Sequence, residues 1–127
     1  MFQLDVKSRK SIYEQVVDNL KELIVSGVLK EDEKLPSVRD LSGQLTVNPN
    51  TVQKAYRELE RQGYVYTTSG LGTFVAGRAE RQIDTAMLST VLIELRAAIR
   101  ELQYLGLSRE EAKEQVEKLF EERSDWK

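Results

Sequence analysis

Between Asn48 and Arg61, side chains able to pair with nucleic acid recur at helical spacing. At ~100° per residue, Asn50, Lys54, Arg57 and Arg61 fall along one side of a helix, with Gln53 on its flank. Val52, Ala55, Tyr56 and Leu59 fall on the opposite side as an apolar stripe, and Glu58 and Glu60 lie to the sides of the polar row. Amide side chains can pair bidentately with adenine, a guanidinium with guanine, and either cation with phosphate. A helix in the major groove needs that combination, and it needs acids kept out of the row. The competing reading is an ordinary solvated helix face with a few cations. Covalent and metal chemistry have much less to work with. The 127 residues include no cysteine and no histidine. That removes thiolate nucleophiles, Cys/His metal sites and the commonest general base near neutral pH. The acidic runs Glu110-Glu111 and Glu121-Glu122 read as solvated helix faces, so neither an enzyme nor a cofactor or metal site is expected.

The elements that must position this row are marked by caps and apolar periods. Phe2, Leu4 and Val6 alternate with Gln3 and Asp5, the period of a half-buried strand. Ser11-Ile12-Tyr13-Glu14 is a capping box. It opens a helix with Ile12, Val16, Leu20, Leu23 and Ile24 on one face and Gly27 just past its end. Residues 28–34 read as a short polar connection. Pro36 keeps Leu35 out of helical geometry, so a second helix opens sharply at Ser37, with Asp40 reaching back and Val38, Leu41 and Leu45 on its apolar side. Gly43 weakens its continuation. A third helix starts at the cap Asn48, with Pro49 in the one helical position that favours proline, and runs to Gly63. Residues 64–67 and 73–75 are β-prone around a glycine-containing loop, which predicts a hairpin. Two short helices across a tight turn, followed by a hairpin, form a helix-turn-helix with a wing. Asn48 reads as a cap before it reads as a base contact, and capping is also open to Thr51. Tyr56 is expected to face the core, with its hydroxyl in reach of a phosphate.

The stretch IYEQVVDNLKELIVSGVLKEDEKLPSVRDLSGQLTVNPNTVQKAYRELERQGYVYTTSGLGTFV, residues 12–75, closely resembles the GntR family of bacterial transcription regulators. Its elements occur in family order: Tyr13-Glu14-Gln15, Gly27-Val28-Leu29, Leu35-Pro36-Ser37-Val38-Arg39, Val47 to Val52, Ala55-Tyr56, Leu59-Glu60 with Gly63, and the closing run Gly70 to Val75. The resemblance covers about half of the chain. It implies that Arg39 contacts DNA, that Asn48, Asn50, Thr51 and Gln53 lie at the groove, and that the wing tip at Ser69-Gly70 enters the minor groove. Arg39 has the alternative of a surface cation beside Asp40. Pro49 stands where many relatives carry a base-reading arginine; Asn48-Pro49-Asn50-Thr51 instead looks like the subfamily named after YtrA. That subfamily's short two-helix tail and its frequent place beside membrane-transporter genes are further implications of the resemblance.

After Ala76-Gly77, a long helix is expected from about Glu80 to Leu105, stopped by Gly106, and the capping box Ser108 to Glu111 opens a last helix to about Arg123. The long helix carries Ile83, Met87, Leu88, Val91, Leu92, Leu95, Ile99 and Leu102, a stripe broader than one partner helix requires. The last helix offers Ala112, Val116, Leu119 and Phe120. Two helices of this size bury too little to stand alone, so Leu88, Leu92, Leu95 and Ile99 are expected at a homodimer interface. The alternative is that both helices pack back on their own chain. The expected architecture is therefore α+β and mostly α. A winged helix-turn-helix spans residues 1–76, and a linker with a two-helix dimerisation and possible effector region spans 77–127.

The charge balance offers no shortcut. Nineteen basic residues face 21 acidic ones, whereas DNA-binding modules are usually basic; a DNA site must come from placement, with Lys54 and Arg57 beside Arg39. No apolar run approaches the ~20 residues of a membrane span, and the N-terminus lacks a signal-peptide pattern, so the expected compartment is the cytoplasm. The expected partners are duplex DNA and a second copy, with any small effector unidentified. The rival function is a winged helix that contacts protein instead of DNA.

Overall fold

The capping box at Ser11 closes as its sequence requires. The Ser11 hydroxyl oxygen accepts from the Glu14 amide, and the Glu14 carboxylate accepts from the Ser11 amide, so α1 (Ile12–Val25) begins with two exposed donors satisfied. The helix ends at Ser26, with Gly27 in left-handed geometry (φ 83°) just beyond. The computed structural model describes residues 2–78 and 83–123, which fall into two compact units, one before Ile83 and one from Ile83 onward.

In the first unit, α1 is followed by α2 (Val38–Leu45), α3 (Pro49–Arg61), β1 (Val65–Thr68) and β2 (Gly72–Val75). Val16, Leu20 and Ile24 of α1 meet Leu41 of α2, Val52 and Leu59 of α3, and Leu35, Val65 and Val75 in one core. Complete burial of each such side chain stabilises the fold by about 1.5–3 kcal/mol. The strands pair antiparallel, Val65 opposite Val75 and Tyr66 opposite Phe74, and the Tyr66 and Phe74 rings stack at 5.5 Å.

Two local expectations are revised. The alternating segment at Phe2 to Val6 is not a strand. Its backbone pairs with side-chain amides of α1: the Asp5 amide donates to Gln15 Oε1 at 2.7 Å and Gln15 Nε2 donates to the Asp5 carbonyl at 2.9 Å. Asn19, one turn further, makes the same exchange with Gln3 at 3.4 Å. Two amides spaced i, i+4 thus replace a neighbouring strand, while Phe2 and Leu4 pack on the core. The connection 28–34, in contrast, ends as a strand-like edge. The Asp32 amide donates to Val75 O, the Val75 amide to Glu33 O and the Leu35 amide to Thr73 O, all at 2.8–2.9 Å, and Lys34 bridges Phe74 in antiparallel register.

The second unit consists of α4 (Thr85–Tyr104) and α5 (Arg109–Glu121). The helix expected from Glu80 begins later. Glu80 lies outside the described residues, and Asp84 is extended and caps the helix by accepting from the Ala86 and Met87 amides. Ser108 and Glu111 form the second complete capping box. The two helices pack against each other, and Leu102, Leu107, Ala112 and Val116 are half-buried, but no residue of either helix is buried. With five helices and one small antiparallel sheet among the described residues, the architecture is α+β and mostly α, as the residue pattern implies.

Candidate nucleic-acid interface

The turn between α2 and α3 is made by Thr46 in the left-handed region (φ 57°), which lets the Val47 amide return to the Ser42 carbonyl at 3.0 Å. Ser37 caps α2 by accepting from the Asp40 amide at 3.0 Å; the Asp40 carboxylate makes no return bond. Asn48 then caps α3 with its Oδ1, which accepts from the Asn50 amide at 2.8 Å. That engages half of the Asn48 amide. Bidentate pairing with adenine needs both halves, so that contact would have to share the capping oxygen through its second lone pair.

Tyr56 faces the core as its position on the stripe implies, and only the partner of its hydroxyl differs from expectation. Its ring is buried with Val52, Ala55 and Leu59, and its hydroxyl donates to the Pro36 carbonyl at 2.7 Å instead of pointing to a phosphate. Burial pushes the phenol well above its ordinary pKa. The bond ties α3 to the start of α2 and so helps to fix the angle between the two helices.

The outward side of α3 keeps Asn50, Gln53, Lys54 and Arg57 exposed, with Thr51 half-buried, and Arg39 is exposed at the second position of α2. Among the described residues, Arg39 and Arg57 have no acid partner. The Lys54 ammonium sits over the Tyr13 ring of α1, 4.4 Å from its centre, a contact that leaves the charge intact. Arg61 differs: its Nε and Nη2 donate to the two Glu58 carboxylate oxygens at 2.9 and 2.6 Å. Hydrogen bonds from Arg61 first, then from Gln62, hold the Glu58 carboxyl down at about 2. Glu60 is occupied as well, accepting from the Thr67 hydroxyl at 2.7 Å. Both acids of α3 are therefore engaged at its sides, and the exposed cations Lys54 and Arg57 remain available to anions.

The wing turns through Ser69 and Gly70, both exposed, with Gly70 at φ 78° and the Leu71 amide returning to the Thr68 carbonyl at 3.0 Å. Reasoning from sequence missed two residues here. Tyr13 is half-buried at the start of α1, and its contact with Lys54, on a different helix, leaves no local mark in the sequence. Lys34 was placed in a connection, and its pairing with a strand forty residues away leaves no local mark. Among the described residues, no three acidic groups are arranged to hold a metal ion, and no helix is long and apolar enough to cross a membrane.

A helix-turn-helix whose second helix exposes amides and unpaired cations, backed by a β-wing, defines a winged helix-turn-helix DNA-binding module. Comparison with known proteins narrows this class. Residues 12–75 match the family described as bacterial regulatory proteins, gntR family. The HTH-type transcriptional repressor YtrA of Bacillus subtilis is 37% identical over 119 residues, covering 94% of this chain and 92% of that protein. Among solved structures, a transcriptional antiterminator from Listeria monocytogenes superposes with a TM-score of 0.75 at 41% identity, over 94% of this chain and 89% of that one. YtrA of Sulfolobus acidocaldarius, a GntR-family transcription factor, gives 0.64 at 33% identity, over 76% and 97%. The chain belongs to the gntR family of bacterial regulatory proteins, with YtrA-like members among its relatives, and is a DNA-binding regulator of transcription, not an enzyme.

Proposed function

We propose that this protein is a repressor that binds an inverted-repeat operator as a homodimer. In this reading Asn50 and Gln53 read bases, Arg39, Lys54 and Arg57 hold phosphates, Asn48 and Thr51 fix the start of α3 at the groove, and Ser69-Gly70 enters the minor groove. The observation that carries it is the segregation of charge on α3, where both acids are tied up and the outward cations are not. Repression is the role for which the Bacillus subtilis relative is named. Dimerisation rests on α4, where Leu88, Leu92, Leu95 and Ile99 recur at one-turn intervals and are all exposed; a second copy would cover them. The setting proposed for such a regulator is the cytoplasm, with an operon for a membrane transporter as its target.

The test is selection of a duplex from a random pool, followed by footprinting. A homodimer presents two recognition helices related by a two-fold, so the selected duplex should contain an inverted repeat. Its half-site centres should lie ~10 bp apart or at a multiple of that spacing. Protection of one asymmetric half-site by a monomer would overturn the dimeric reading. Failure to retain any duplex, with salt-insensitive capture of a protein partner instead, would favour the protein-binding alternative.

A further inference from the structure

Lys34 sits at the end of an acidic run, Glu31-Asp32-Glu33, yet each of those carboxylates is directed elsewhere. Asp32 Oδ1 accepts from the Tyr66 hydroxyl at 2.8 Å, and Glu33 Oε1 accepts from the Lys30 amide at 3.1 Å. Glu31 lies against Gly77, where an added Cβ would come within 2.1 Å of its Oε1. The lysine itself is fixed by main-chain pairing on both sides. The Glu33 carbonyl accepts from the Val75 amide and the Leu35 amide donates to Thr73, which sets Lys34 opposite Phe74. Bridged residues share a face, and so do positions two apart on a strand, so the Lys34 stem runs across Gly72.

The fit at Gly72 is close. A Cβ there would lie 2.7 Å from Lys34 Cε and 3.6 Å from its Nζ, so the stem occupies the space a side chain would need. Gly72 is also in left-handed geometry, φ 126°, and it is the first residue of β2, one residue beyond the turn of Ser69-Gly70. The lysine is exposed and has no acid partner among the described residues. A long side chain with its methylenes laid on the sheet and its ammonium in water is the snorkelling arrangement. Here it delivers a positive charge beside the wing turn.

We propose that Lys34 is a DNA-contacting residue of the wing, binding the sugar-phosphate backbone beside the groove that Ser69-Gly70 enters, and that Gly72 makes room for its stem. This rests on the wing reading given under Proposed function. The competing role is structural, with the stem serving only to cover Gly72 and Phe74. Lys34→Met keeps an unbranched apolar stem and removes the charge, while Lys34→Arg keeps a charge. On the duplex selected by the wild-type protein, Lys34→Met removes one contact in each copy of the dimer, so it should flatten the slope of log K against log salt by about 1.8 and weaken binding roughly sixtyfold near 0.1 M salt. Hydroxyl-radical protection should fade at the wing-contacted flanks and persist at the centre, Lys34→Arg should restore both, and the melting temperature should not move. Wild-type slope and wild-type flank protection in Lys34→Met would overturn the proposal while leaving the DNA-binding reading intact. Loss of affinity with an unchanged slope and a lowered melting temperature would assign the residue to structure alone. If the wild-type protein retained no duplex, both readings would fall together.

Discussion

In the winged-helix unit Leu20 is 2% exposed and Leu59 fully covered, whereas Leu88, Leu92, Leu95 and Ile99 of α4 keep 43–51% of their surface in water. Amphipathic patterning does not separate the two regions, since both have it. The number of elements around each apolar face does. In the first unit three helices, a hairpin, a strand-like edge and the N-terminal segment cover one another. Each apolar face therefore finds a partner within the same unit. In the second unit two helices pack together with Leu102, Leu107, Ala112 and Val116 only half-buried, and a pair of helices has no interior. The first unit is specified by its own chain; the second has more apolar surface than its own hairpin can cover.

The largest effect is expected where this contrast meets the proposed dimer. Leu95→Glu would bury an unpaired carboxylate in each copy, at several kcal/mol apiece. Sedimentation should show monomers at concentrations where the parent is dimeric. Circular dichroism should show the winged helix still folded, because its core lies in the other unit. Operator affinity should fall steeply with the loss of the second half-site's effective concentration. A dimeric Leu95→Glu protein with parental affinity would refute the interface. Leu20→Ala probes the other side of the contrast. Emptying a site that is fully enclosed should destabilise the winged helix by about 2–5 kcal/mol, and denaturant titrations at two protein concentrations should show the same loss. A concentration-dependent loss would mean that the first unit is not self-sufficient after all.

Most of the fold was legible because its signals are local. Ser11 with Glu14, Ser108 with Glu111, and Asn48 with Pro49 each act within one helical turn, and the stripe of Val52, Ala55, Tyr56 and Leu59 is a direct consequence of helical period. What escaped depends on partners distant in sequence. The Tyr56 hydroxyl finds a carbonyl twenty residues earlier, Lys34 finds β2, and the alternation at Phe2 to Val6 signals a half-buried extended segment without revealing that its partners are amide side chains. Arg61 is a different kind of miss. Its partner Glu58 is three residues away, close enough to have been anticipated, and the ion pair sets Arg61 apart from the outward row. The start of α4 was equally open to reading, since Asp84 is a good cap for a helix beginning at Thr85.

The smallest expected effect tests whether the self-sufficient unit is also fully relaxed. Thr46 is β-branched and exposed, yet it holds left-handed geometry (φ 57°) at the turn that sets α3 against α2. Such geometry costs an L-residue with a Cβ roughly 1–2 kcal/mol, and glycine avoids it. Glycine also gives the unfolded chain more freedom, which returns about 0.5–1 kcal/mol of the gain. The difference leaves Thr46→Gly more stable by about 0.5–1 kcal/mol, a rise of roughly 2–8 °C in the melting temperature of a domain this small. Thr46→Ala keeps the Cβ and therefore most of the strain, so it should melt below the glycine variant. Measuring both in the monomeric Leu95→Glu background keeps dimerisation out of the comparison. A glycine variant that melts below the parent would show that the threonine makes contacts worth more than the strain it carries. The turn would then be held by its side chain as well as by its backbone.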